Sequence, residues 1–155
     1  MVFSSSLERT LDVAWSRDEV YALVADVPRS AGHFPGIQGI DDLGDGVFRW
    51  RLGTIKLPGF AFDAGYTAQY HFDEAAGTVV WASVPGEGNV QEEGSWQVKT
   101  AGDRTHVVFR STLTVDVAVP RLVERVVRKA APGVTHKLML GYLERIAKTM
   151  KGRVA

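Results

Sequence analysis

Phe60-Ala61-Phe62-Asp63-Ala64-Gly65-Tyr66-Thr67-Ala68-Gln69-Tyr70-His71-Phe72 sets an aromatic residue or alanine at every even position and a small or polar residue at every odd one. Alternation of period two marks a strand with one buried face, because successive side chains of extended chain point to opposite sides. Thirteen residues is well beyond the usual strand length. Five aromatics beside two alanines on one face suit the concave side of a curved sheet that surrounds an apolar volume.

Working outward, turn residues divide the flanking sequence into further strands. Ile37 to Leu43 reads as a strand, and Asp45-Gly46 as a hairpin turn. Val47 to Leu57 points Phe48, Trp50 and Leu52 inward, then Ile55 and Leu57 on the opposite parity, so a bulge is expected near Gly53. Beyond the long strand, Thr78 to Val84, Asn89 to Thr100 and Arg104 to Val119 follow, separated by Gly-containing turns. Before it, Ser4 to Ala14 alternates as a first strand. Ser16-Arg17-Asp18-Glu19 then forms a capping box ahead of Val20, Leu23, Val24 and Val27 at helical spacing. Pro28 to Gly36 makes a second short turn or helix. Pro120 suits the first position of a terminal helix, whose apolar stripe runs Leu122, Val123, Val126, Val127 and Ala130. Pro132-Gly133 is expected to break or kink it before it resumes through Leu138, Met139, Tyr142, Leu143, Ile146 and Met150. The result is an α+β domain: a curved antiparallel sheet of about seven strands, two short helices after the first strand, and a long C-terminal helix.

Composition narrows the functional classes. A chain of 155 residues, 45% hydrophobic and 23% charged, fits one globular domain with a real core. The absence of cysteine removes disulfides, thiolate metal sites and a cysteine nucleophile. Met1 to Arg9 carries no basic segment followed by an apolar one, so no signal peptide is read and a cytoplasmic location is expected. The zero net charge conceals an asymmetry. Residues 1–120 hold 9 Lys/Arg against 16 Asp/Glu, and residues 121–155 hold 9 against 2. The basic stretch Arg121–Lys137 could rest on anionic lipid or on a partner, or could be a solvated helix face that caps the sheet.

The candidate site follows from parity. Trp50, Phe62, Tyr66, Trp81, Trp96 and Phe109 are expected to line the concave face, with Leu138 and Tyr142 facing them from the terminal helix. Val90, Glu92, Gly94, Trp96 and Val98 share one face, so Glu92 is carried inward beside a glycine. There it is either a ligand-orienting or acid/base group, or a carboxylate near an open, hydrated strand end. Ser111, between Phe109 and Leu113, is a second inward polar group, and Tyr142 a third. His33, His71, His106 and His136 share no ligand spacing, so no metal site is read. No phosphate loop, nucleophile elbow or zinc motif is present, and no cofactor is implied. Arg49, Arg51, Lys56, Lys99 and Arg110 alternate outward as on any solvated sheet, so no nucleic-acid site is read.

The element order, the Ser16–Glu19 helix entry, the His33-Phe34-Pro35-Gly36-Ile37 corner, the Gly94-Ser95-Trp96 strand start and the helix after Pro120 resemble the helix-grip fold of the START/Bet v 1-like (SRPBCC) superfamily. Within it the chain is similar to the polyketide cyclase/dehydrase, coenzyme-Q-binding and carbon-monoxide-dehydrogenase-subunit-G-like group. The resemblance implies a cavity for a hydrophobic small molecule (a lipid, a quinone or a polyketide-like aromatic) between sheet and terminal helix. It leaves open whether the protein carries its ligand, transforms it as a cyclase or dehydratase, or serves as an accessory protein docking through its basic helix.

Overall fold

The computed structural model describes all 155 residues. The strand β1 (Val2–Val13) leads to helices α1 (Arg17–Ala25) and α2 (Val27–Ala31). A meander follows: β2 (Gly39–Gly44), β3 (Val47–Leu57), β4 (Phe60–Asp73), β5 (Thr78–Gly88), β6 (Val90–Ala101) and β7 (Arg104–Asp116). The long helix α3 (Glu124–Thr149) and a short strand β8 (Gly152–Val154) complete the chain. All eight strands join one antiparallel sheet in the order β2-β3-β4-β5-β6-β7-β1-β8. The eighth strand goes beyond the seven expected. Three residues are too few to display a period, and β8 owes its place to pairing with Leu11–Val13 of β1.

Local chemistry explains the elements. The Ser16 hydroxyl accepts from the Glu19 amide at 3.3 Å, which caps α1, while the Glu19 carboxylate turns to the Ser16 hydroxyl at 3.2 Å and not to the Ser16 amide that a full capping box would engage. Asp26 caps α2 by accepting from the Arg29 amide, with Pro28 in the first turn. The register of β3 against β4 shifts between Arg51 and Gly53, where Gly53 has φ of +90°. That bulge keeps Trp50 and Leu52 before it, and Ile55 and Leu57 after it, on the buried side.

Of the break or kink expected at Pro132-Gly133, the break does not occur, since helix α3 runs on through Pro132. Pro132 and Arg128, whose carbonyl loses its usual amide partner, are both exposed, so the ring sits on the wet side and water can serve that carbonyl. The helix begins at Glu124 and not at Pro120, because residues 121–123 form a turn. Its buried stripe of Val127, Ala131, Met139, Tyr142, Leu143 and Ile146 lies on the core built from the concave side of the sheet. Gly141 permits close approach to the corner: a Cβ there would meet the Pro35 ring at 3.0 Å. No helix is long and apolar enough to cross a membrane.

Candidate functional site

The sheet, α1, α2 and α3 converge on an interior cavity lined by Val24, Val27, Ser30, Phe34, Trp50, Leu52, Tyr66, Tyr70, Trp81, Glu92, Trp96, Phe109, Leu113, Met139 and Tyr142. Seven of the ten residues expected from the sequence are on this wall: Trp50, Tyr66, Trp81, Glu92, Trp96, Phe109 and Tyr142. Ser111 stands one layer back, buried, and meets the cavity through Glu92. Phe62 and Leu138 lie elsewhere. Phe62 stacks on Phe60, half-buried toward the β3–β4 turn, because β4 outruns the cavity at that end. Leu138 faces an outer groove beside Pro35, and its neighbour Met139 takes the inward position.

The walls are an aromatic cage. Trp50 and Tyr66 stack nearly parallel, with centroids 5.6 Å apart, and Trp96 packs on Phe109 at 4.6 Å. Tyr142 reaches from α3 into contact with Trp50, Trp96 and Phe109. These rings occupy most of the expected hollow. Only about 30 Å³ is wide enough to take the centre of a water molecule. One or two waters fit that space. A larger guest requires rings to swing aside.

Glu92 is the one acidic side chain on this wall and is 5% exposed. The Trp81 indole N–H donates to its Oε2 and the Ser111 hydroxyl to its Oε1, so each oxygen has a partner. Its backbone is held as well, the amide donating to Ser83 Oγ at 2.7 Å while that hydroxyl donates to the Glu92 carbonyl at 3.0 Å. Burial raises the carboxyl pKa from 4.5 to about 7, against the opposing pull of Ser111, Trp81 and Tyr66, which favour the charged form. Burial and the Glu92 charge push the Tyr66 and Tyr70 hydroxyls well above their ordinary value. Burial likewise raises that of Tyr142. Glu92 is thus the cavity group poised to change charge near neutrality.

Two further hydrogen bonds organise the wall. Trp50 Nε1 donates to the Tyr70 hydroxyl at 3.0 Å, and Ser30 Oγ is bonded to the Tyr142 hydroxyl, tying α2 to α3. Tyr70 shares the inner parity of β4 with Tyr66. Val27 continues the helical spacing of Val20, Leu23 and Val24, whereas Ser30 is not legible, since α2 is too short for a period to place its inner face. No three His, Asp or Glu side chains group closely enough to hold a metal ion.

No protein-family model and no curated protein sequence matches the chain. Solved structures do. The Zhui aromatase/cyclase from a Streptomyces species is 19% identical with a TM-score of 0.66, over 96% of this chain and 94% of that one. A START superfamily protein from Mycobacterium smegmatis is 13% identical with a TM-score of 0.67, over 94% and 96%. A major latex-like protein from Panax ginseng is 19% identical with a TM-score of 0.60, over 95% and 97%. With an antiparallel sheet, a long C-terminal helix and these neighbours, the chain has the helix-grip fold of START/Bet v 1-like proteins.

Proposed function

We propose that the protein binds a flat, mainly apolar small molecule between the sheet and α3, with one polar group of that molecule turned to Glu92. The observation that carries this reading is a carboxyl group held inside a cage where 13 of 15 lining residues are hydrophobic. An apolar side chain would fill this place without any partner, whereas the carboxyl requires two dedicated donors, Trp81 and Ser111, to be kept here. Aromatic walls favour a ring system such as a quinone or a polyketide-like aromatic over a flexible chain. Binding would be driven by apolar burial, about 25 cal/mol per Å² before association costs. Native mass spectrometry of freshly purified protein, joined to a titration with a polycyclic fluorophore, tests the proposal. A bound apolar adduct, or quenching of Trp50, Trp81 and Trp96 emission that saturates, is the expected result. The absence of both adduct and quenching would overturn it.

A second reading is a cyclase- or dehydratase-type enzyme in which Glu92 moves a proton on the bound substrate. It is favoured by the carboxyl pKa of about 7 in a site nearly closed to water. Glu92→Gln separates the two. A carrier keeps its affinity within a few-fold, whereas a proton-transfer enzyme loses about 10²-fold or more in turnover.

A further inference from the structure

The apolar stripe of α3 is divided in a way the core does not need. Val127 and Ala131 are buried, but Val126 in the first turn of the helix is 53% exposed and Leu122, in the turn just before it, is 96% exposed. Around them Arg121, Arg125 and Lys129 are exposed and none forms an ion pair, while Arg128 is paired with Glu124 at 2.8 Å. Residues 121–137 carry five Lys/Arg and one acid. Cations beside a helix N-terminus oppose its dipole, and Val123 at the cap offers no side-chain acceptor. Packing and helix stability therefore both fail to account for this pattern. The patch also continues beyond the helix. The β3–β4 turn abuts Val123, where a Cβ on Gly59 would stand 2.9 Å from Val123 Cγ1, and the stacked, half-buried Phe60 and Phe62 follow.

We propose that the turn before α3 and its first two turns are a docking surface for an anionic lipid bilayer. Leu122 and Val126 enter the headgroup boundary, and Arg121, Arg125 and Lys129 meet the lipid phosphates and carboxylates. Protruding apolar side chains ringed by unpaired cations are the complement of such a surface, where acyl chains lie under negative charge. A bilayer accepts both kinds of side chain without needing a shaped pocket for Leu122. The surface stands independently of what the cavity holds, so either reading can fail alone.

The test is sedimentation of the full chain with phosphatidylcholine vesicles, with and without about one-third phosphatidylserine, at roughly 0.1 M and 0.5 M salt. Binding is expected on the anionic vesicles only, and is lost at the higher salt. Arg125→Ala should weaken it about fivefold, the worth of one cation near the surface. Leu122→Asp with Val126→Asp should weaken it more than tenfold while circular dichroism stays unchanged, because both side chains are exposed. Val80→Asp, an exposed change on the sheet, should have no effect. Absence of sedimentation, equal binding to neutral vesicles, or binding that survives the double variant overturns the proposal. So does concentration-dependent dimerisation abolished by Leu122→Asp, which would make this face a contact between copies of the chain.

Discussion

A Cβ placed on Gly94 would stand 2.6 Å from Cζ2 of Trp81, so the indole lies directly on the glycine's bare backbone. The two residues are cross-strand partners in β5 and β6. From that seat the indole N–H reaches Glu92 two residues along the strand. Gly94→Ala would also press on the Arg110 carbonyl at 2.2 Å. The variant is expected to lose about 1–3 kcal/mol of stability, measured by urea unfolding. It should also shift the Trp81 emission as the ring leaves its acceptor.

The Glu92 carboxyl yields a prediction about pH. Its pKa rises on folding from 4.5 to about 7, so between those values the folded state binds more protons than the unfolded. Stability is therefore greatest at the acid end of that window and falls as pH rises through it, by up to about 3 kcal/mol. In Glu92→Gln the amide oxygen can still accept from Trp81, and Ser111 can turn to accept from the amide nitrogen. That variant should lack this part of the pH dependence. Chemical denaturation of both proteins at pH 5 and pH 8 measures the difference, and equal slopes would refute the assignment.

Tyr142→Phe removes the hydroxyl that pairs with Ser30, which is 3% exposed and would be left without its partner. The expected cost is about 1–3 kcal/mol. Faster amide exchange in α2 should accompany it, because the side-chain hydrogen bond left between that corner and α3 is His33 Nε2 to Thr149 Oγ1 at 2.9 Å.

Trp50→Ala should convert the narrow cavity into a real void. The loss of a stacked ring and of the donor to Tyr70 is expected to cost about 3–5 kcal/mol. Small aromatics such as naphthalene should restore part of that stability, read as a rise in Tm that is larger than for the wild type. An unchanged Tm would mean that the neighbours collapse into the space.

The parts of the fold legible in the sequence were those with a period or a local chemical rule. The alternation of Ala64, Tyr66, Ala68 and Tyr70, the parity change at Gly53, and the Ser16–Glu19 cap all appear as expected. Glu92 was placed inward by parity alone, yet its two oxygens could belong to solvent or to protein until Trp81 and Ser111 were brought to it by pairing with neighbouring strands. Phe62 and Leu138 lie off the cavity wall because parity tells which face a side chain takes, not where along the strand or helix the cavity ends. The uninterrupted passage of α3 through Pro132 depended on the proline lying on the wet side, which the residue itself does not announce.

The self-filling of the cage by its own rings bears on how tightly anything can be held. With little more than a water's worth of room at rest, entry means that ring–ring contacts are exchanged for ring–guest contacts of the same kind. The net gain is then a difference between two similar quantities, and departure leaves no vacuum to penalise the empty state. On the proposed reading, such a container would release its guest more readily than one with a rigid, pre-formed hollow.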